Sequence, residues 1–396
     1  MPVGHSSSPR RIRRARSPAV RRGRSRAAGT GAVGIPRVRR TDGRAVPPSH
    51  RRLRGDSVNI STYAARTRGA IDLALRGPWR SIPDALRRAD RDIREVSPFT
   101  PVLGAARSLL ALATLLTILF TPNGQLFFRS VTYPDGVTCD RVLSAISLFC
   151  VWRGDAAGVA VAVAVVLLAA VISGYLPAVT AVPHWWVAWS FNMSSPIPDG
   201  GDQVSAVLTL LLVPILLMDR RRHHWQLDRG YPSRRPVAKV IAYTALALCA
   251  VQVCVIYFHA AVGKFAVEEW ANGTVLWYWF QDPTFAPAEP LRTLMLGVVG
   301  SAAGGAVLAY GSLLTELLLA FALVAGPRYR AVMLVAGALF HLGIAVCFGL
   351  WSFSTTMLAA LLLYLVRPSR PTAAEIVVPA DEALSSFDER RPVPSP

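Results

Sequence analysis

The chain has 396 residues, of which 52% are hydrophobic, and its formal net charge is +19. An apolar fraction of this size, gathered into runs long enough to cross a bilayer, excludes an ordinary soluble domain and predicts a polytopic membrane protein. The charge does not indicate a nucleic-acid-binding domain, because residues 1–55 hold 16 Arg against a single acid, Asp42.

The N-terminal segment, residues 1–57, is rich in Arg, Ser, Pro and Gly and is therefore predicted to be disordered. We favour a cytoplasmic tail that reinforces the positive-inside rule and touches anionic membrane lipid. Contact with nucleic acid is an alternative, but the tail lacks interleaved aromatic residues, so we predict no nucleic-acid partner. A further alternative is that translation begins at Val58.

Residues 58–98 alternate apolar positions with Arg and Asp, a pattern typical of an amphipathic helix in the cytoplasmic interface. An all-α transmembrane domain is predicted over residues 99–368, and its first helix at 101–120. The external connection that follows contains Cys139 and Cys150. These two cysteines either form a disulfide, which requires the segment between them to bend, or remain two buried thiols.

The number of membrane crossings follows from the side of the membrane on which the Arg-rich connection must lie. If residues 156–191 formed one crossing, the Arg-rich connection 219–236 would lie outside the cell, against the positive-inside rule. These 36 residues are long enough for two helices, and the sequence SGYLP supplies turn residues between them. We therefore predict eight helices in the bacterial plasma membrane, with both termini in the cytoplasm and a disordered tail at 369–396. The seven later helices are placed at 156–174, 178–193, 203–218, 237–264, within 291–325 (where the part before about 303 is a half-helix or interfacial segment), 331–350 and 352–366.

One of only two lysines, against 41 arginines, is Lys264 at the outer end of the predicted fifth helix. In one interpretation it reaches the interface and pairs with Glu268, one turn later. In the other it is a tunable base, because burial lowers the pKa of a lysine far more readily than that of an arginine. Tyr257 shares its helix face, whereas His259 lies about 140° around the helix.

Other polar groups within the predicted helices are Gln252, Glu316 and His341, each either functional or a hydrogen-bonding link between helices. Two aromatic runs, at 184–192 and 277–280, are consistent with an interfacial aromatic belt. Alternatively they wall an apolar pocket suited to a lipid-like or quinone-like ligand or a hydrophobic peptide. We predict no metal site.

Four motifs are distinctive: YFHAAVGKFAVEEWANG at 257–273, DGGD at 199–202, TELLLAFALV at 315–324 and LFHLGIAV at 339–346. In their order and spacing along the chain they resemble the membrane domain shared by vitamin K-dependent γ-carboxylases and the bacterial HTTM proteins. The likeness covers about residues 95–366 and is strongest to the bacterial branch named after sporulation-delaying protein B.

The resemblance implies that Lys264 is a catalytic base acting on a quinone or vitamin K-like hydroquinone, with His259 and His341 in support. It adds Trp270, Asn192 and Asp202 to Tyr257 and Glu316 as candidate binding residues. The chain departs from the carboxylases at Gly263, where they have a first lysine, at FNMSS, where they have a histidine, and after the last helix, where they have a large extra-membrane portion.

The resemblance therefore implies a factor, enzymatic or not, that assists maturation of a secreted toxic peptide at the outer face. The alternative is a non-enzymatic peptide-binding, immunity or export component. A conventional transporter is less consistent with the sequence, which has no internal repeat.

Overall fold

The computed structural model describes residues 96–368, apart from residues 122, 132, 141, 197–198 and 227–235. The predicted tails and nearly all of the predicted interfacial segment 58–98 lie outside the described residues. Within them the regular structure is helical, and the single extended feature is an isolated bridge between Tyr175 and His223. The prediction of an all-α membrane protein is confirmed.

Eight long helices, here α1 to α8, follow one another along the described chain. They are α1 Pro101–Phe120, α2 Ala157–Ser173, α3 Ala181–Ser194, α4 Gly200–Met218, α5 Pro236–Lys264, α6 Ala302–Phe321, α7 Pro327–Phe348 and α8 Trp351–Leu365.

Six of these helices are long and apolar enough to cross a membrane: α1, α2 with its preceding turn, α4, α5, α6 and α7. The other two, α3 and α8, have 14 and 15 residues, which is shorter than a bilayer normally requires. The predicted number of eight crossings therefore stays a prediction, although every predicted helix has a counterpart in the structure.

Local signals explain where the helices begin and end. The Thr100 side chain accepts a hydrogen bond from the backbone of Leu103, and Pro101 follows in the first turn of α1. Ser301 caps α6 in the same way through the backbone N–H of Gly304. A separate helix, Leu291–Val299, ends just before this cap, so the early part of the predicted sixth helix is a distinct segment, as expected.

The short helix α8 lies at the centre of the bundle. Nine of its 15 residues are buried, and it packs against α1, α4, α5 and α7. By contrast α2 buries a single stripe, Ala160, Ala164, Leu168 and Val171, which is the pattern of a helix whose other faces contact lipid. Contacts with four neighbouring helices therefore stabilise α8 although it is short.

Cys139 and Cys150 are joined by a disulfide, with their Cα atoms 5.7 Å apart. A regular helix would separate residues 11 positions apart by about 16 Å. The chain instead makes a 3-10 turn at Val142–Ile146 and breaks at Ser147 before a new helical turn. The segment between the two cysteines therefore has the bend that was predicted to be necessary for a disulfide.

Candidate functional site

The buried stripe of α5 directs Lys264 into the protein. Cys249, Val253, Tyr257 and Ala261 are buried at helical spacing, and Lys264, three residues further on, lies on the same face. Lys264 is the last residue of α5. Its side chain therefore extends toward α6 rather than toward bulk solvent.

Lys264 forms an ion pair with Glu316 of α6. Its Nζ donates hydrogen bonds to both carboxylate oxygens, at 2.6 Å for Oε2. The Glu316 side chain is 8% exposed and that of Lys264 is 23% exposed, so the pair is largely removed from solvent. The interpretation that Lys264 pairs with Glu268 is wrong, because Glu268 lies on the exposed side of the next short helix.

Trp270 covers the ammonium group of Lys264. The Nζ atom lies 5.1 Å from the centroid of its ring, a distance typical of a cation–π contact. Trp270 is itself 7% exposed and packs with Val275 against Ala309 and Leu313 of α6. The segment after α5 thus folds back onto α6 and closes the site from one side.

The ion pair lies in the wall of a cavity of about 630 Å³, within the size range of small-molecule sites. Apart from the pair, its walls are nearly all apolar. They come from the connection after α5, from one face of α6, from one face of α7 and from the start of α8, and include Trp279, Phe280, Met295, Leu308, Ser312, Thr315, Leu339, Phe340, Ile344, Phe348 and Phe353.

Aromatic contacts hold the cavity wall together. Phe280 stacks on Phe348 with their ring centroids 5.1 Å apart, and Trp279 contacts the same ring edge-on at 5.7 Å. The segment after α5 is therefore attached to the C-terminal end of α7. Of the two predicted aromatic runs, the one at 277–280 contributes to the cavity, whereas no residue of the run at 184–192 lines it.

Tyr257 and His341 form a second polar pair behind the cavity wall. The Tyr257 hydroxyl lies 2.9 Å from Nε2 of His341, and both side chains are almost fully buried. The His341 ring packs against Phe340 and Phe353, which line the cavity. The two residues are thus adjacent to the cavity without forming its surface.

Three predicted site residues lie elsewhere. His259 is exposed on the opposite face of α5. Asp202 forms a capping box with Asp199 at the start of α4, in which each side chain accepts a hydrogen bond from the other's backbone. Asn192 lies on α3, away from the cavity. The structure brings together Lys264, Glu316 and Trp270, with the Tyr257–His341 pair beside them.

Of the α6 and α7 residues that line the cavity, Glu316 alone was a predicted site residue. The small and polar positions 311, 312, 315 and 316 of α6 recur three or four residues apart and end at Glu316. That pattern was the available signal. No group of three or more His, Cys, Asp or Glu suited to a metal ion occurs among the described residues.

A second buried polar group, the His224 cluster, lies at the other ends of the helices. Arg107 of α1 is fully buried; its guanidinium donates to the Thr180 hydroxyl at 2.6 Å and lies 3.5 Å from Nδ1 of His224. Asp219 accepts several hydrogen bonds from Arg221, the two shortest at 2.7 and 2.9 Å. Together these contacts fix the connection after α4 to α1 and to the α2–α3 turn.

Burial, and then the positive charges of Arg107, Arg221 and His223, lowers the pKa of His224 from 6.5 to about 3. Its ring fits between Gly104 and Gly174, where an added Cβ atom would lie 2.9 and 2.7 Å from ring atoms. His224 is therefore a neutral residue that anchors a loop.

Comparison with known protein families matches residues 205–368 to the HTTM domain. Two proteins of Bacillus subtilis strain 168 are similar over 68% of the chain. The uncharacterized protein YitO is 33% identical over 280 residues, covering 87% of its length. The sporulation-delaying protein SdpB is 31% identical over 273 residues, covering 82% of its length. No solved structure matches the chain.

Proposed function

Because the chain belongs to the HTTM-domain family and is related to SdpB, we propose that it assists production of a secreted toxic peptide at the outer face of the bacterial plasma membrane. The observation that carries this proposal is the Lys264–Glu316 ion pair in the wall of an apolar cavity. The pair provides one polar, proton-exchanging point on a surface that otherwise favours apolar ligands.

The pair gives Lys264 a route to act as a base. Transfer of a proton from Nζ to the Glu316 carboxylate produces a neutral amine and a neutral acid, which removes two charges from a low-dielectric site. The amine then accepts a proton from a substrate hydroxyl, amide or acidic C–H group, and leaves the substrate as an anion beside the new ammonium. Arginine cannot perform this exchange, since its pKa is too high.

The cavity residues fit a quinol-like cofactor, because mainly aromatic rings and aliphatic side chains surround the Lys264–Glu316 pair. Phe280 and Phe348 would hold its ring, and Lys264 and Glu316 would face its hydroxyl. When bound, such a group supplies redox chemistry that amino-acid side chains lack. Trp270 would keep water from the ammonium in that state.

The test is replacement of Lys264 by arginine in a strain whose chromosomal copy is deleted. We expect mature secreted peptide, measured by mass spectrometry, to fall by about 10²-fold or more, the usual contribution of a general base, at unchanged protein level. Lys239→Arg, the same change at the other end of α5, is the matched control and should retain production. If the Lys264→Arg strain makes normal amounts of mature peptide, Lys264 does not act as a base in this function.

A non-enzymatic binder is the second candidate, and the completeness of the ion pair favours it. One ammonium satisfies both oxygens of Glu316, as a purely structural pair would. In this case Lys264→Arg is tolerated because it keeps the charge, whereas Trp279→Ala, which opens the cavity wall, reduces peptide production. The two variants, measured in the same strain, separate the candidates.

A further inference from the structure

The cavity opens sideways between α6 and α7. Val307 of α6 is 70% exposed and Leu339 of α7 is 62% exposed, and both line the cavity. Exposed apolar residues on membrane-crossing helices contact lipid tails. The opening between these two residues therefore faces the hydrocarbon of the bilayer and not the aqueous phase.

Two glycines on facing helices keep this opening free of side chains. Gly311 of α6 and Gly343 of α7 both line the cavity, and a Cβ atom added at either position would meet no atom within 4 Å. Gly337, earlier on α7, differs, because its Cβ would lie 2.9 Å from Leu361. The surroundings of α7 are thus tightly packed at Gly337 and open at Gly343, where the helix borders the cavity.

The polar end of the cavity selects the chemistry of a ligand. The ion pair of Lys264 and Glu316 has no net charge, but it offers N–H donors and carboxylate acceptors side by side. An anionic head group would be repelled by Glu316 and a cationic one by Lys264. A neutral hydroxyl, which both donates and accepts, satisfies both partners.

We infer that the cavity binds a single-chain lipid with a hydroxyl head group, which enters from the bilayer between α6 and α7. Its hydroxyl contacts the Lys264–Glu316 pair, and its chain lies past Gly311 and Gly343 and leaves between Val307 and Leu339. This inference rests on the proposed use of the cavity as the binding site; it places a lipid alcohol where the quinol-like cofactor was fitted, and it adds the route of uptake.

A native thiol reports occupancy of this cavity. Cys347 lines it, whereas Cys249 is buried in the bundle and Cys254 donates to the backbone of Ala320. Alkylation of the purified full-length chain by N-ethylmaleimide, followed by mass spectrometry of the Cys347 peptide, measures access to the site. The probe is hexadecanol, and alkylation at Cys254 serves as the internal reference.

We expect hexadecanol at about ten times its Kd to slow alkylation of Cys347 by about tenfold, since the free fraction falls as 1/(1 + [L]/Kd). Hexadecane, which lacks the head group, gives no such protection. Gly343→Leu fills the opening and abolishes protection, whereas Gly326→Leu, another glycine with open space around its Cβ but outside the cavity, retains it. Absence of protection in the wild type, or equal protection in Gly343→Leu, overturns the inference.

Glu316→Gln provides a change of specificity that a merely structural pair would not produce. It leaves the Lys264 ammonium without its counter-charge, so hexadecanoate should now protect Cys347, although it does not protect the wild-type protein. Protection of the wild type by hexadecanoate, or by a hydrophobic peptide in place of the alcohol, contradicts the ligand class.

The two proposals fail separately. If hexadecanol does not bind but Lys264→Arg still abolishes peptide production, the ligand class is wrong and the proposed function stands. If Gly343→Leu abolishes binding and peptide production is unchanged, the site binds lipid but does not serve that function.

Discussion

His224 is a single side chain whose charge state is coupled to the fold. Its ring lies 3.5 Å from the Arg107 guanidinium and 3.3 Å from the Ser108 hydroxyl, and the backbone carbonyl of His224 accepts a hydrogen bond from Arg221. Asp219 is the carboxylate of this cluster, and its oxygens are taken by Arg221. Protonation at Nδ1 would therefore place an N–H group and a positive charge against the Arg107 guanidinium, while the Asp219 carboxylate is already engaged by Arg221.

The lowered pKa of His224 predicts a pH-dependent stability. Between about 3 and 6.5 the unfolded chain binds a proton at this residue and the folded protein does not, so the free energy of unfolding falls as the pH falls through this range. Thermal unfolding of the purified protein across these pH values measures the slope. His224→Asn should flatten it and His223→Asn should not; an unchanged slope in His224→Asn would show that other groups control it.

The Lys264–Glu316 pair is also a property of single residues, but one that joins positions 52 apart in the chain. Glu316 is the one charged residue of α6, and Lys264 ends the apolar run of α5. Leaving either charge buried without the other is costly, and this cost is why their pairing couples the end of α5 to the C-terminal half of α6.

At the scale of elements, the α2–α3 turn depends on one glycine. Gly174 has φ of 89°, a left-handed conformation that residues with a Cβ adopt at a cost. The same position is crowded, since an added Cβ would lie 2.7 Å from His224 and 2.8 Å from Trp225. Both the turn and the docking of the His224 loop therefore require glycine.

Gly174→Ala should lower the free energy of unfolding by more than the about 1–2 kcal/mol that a left-handed backbone alone costs. Gly158→Ala, at the other end of α2, is the matched control because no atom lies within 4 Å of its Cβ position. It should be neutral or stabilise the protein slightly. Equal effects of the two substitutions in thermal unfolding would contradict the docking of His224 against Gly174.

At the scale of the whole molecule, the orientation in the membrane depends on whether the α2–α3 segment turns back. The structure contains that turn, at Gly174 and the residues after it. With both helices crossing, the connection between α3 and α4 lies outside, the loop after α4 lies in the cytoplasm, and both termini are cytoplasmic. If α2 and α3 together cross the membrane only once, the α3–α4 connection lies in the cytoplasm and the loop after α4 lies outside.

Thiol labelling in intact cells tests this topology. We expect a membrane-impermeant maleimide to label Ser195→Cys, between α3 and α4, and to label Gln226→Cys only after the cells are permeabilised. The reverse result would mean that α2 and α3 together cross the membrane once. The variants are compared with the parent protein, whose described free cysteines lie in α5 and α7.

The positions of the helices could be predicted from the sequence by itself, because a membrane helix is a local property. An apolar run of sufficient length satisfies its own backbone hydrogen bonds in lipid, and Pro, Gly and capping residues mark its ends. For this reason the turn after Ser173, the break before Ala302 and the extent of α5 all agree with the predictions. The helix face shared by Tyr257 and Lys264 also followed from helical spacing.

Only the tertiary structure decided which distant residues meet. Helical periodicity gives the face on which Lys264 lies but not the neighbour of that face. Glu316 was therefore a candidate without an assigned partner, and Glu268 was named as the possible partner of Lys264 because it lies one turn away in sequence. The same limit applies to Asp202, which caps its own helix, and to His224, which is buried by glycines from two other elements. Contacts between helices depend on packing over the whole bundle, and that information is not contained in any one segment.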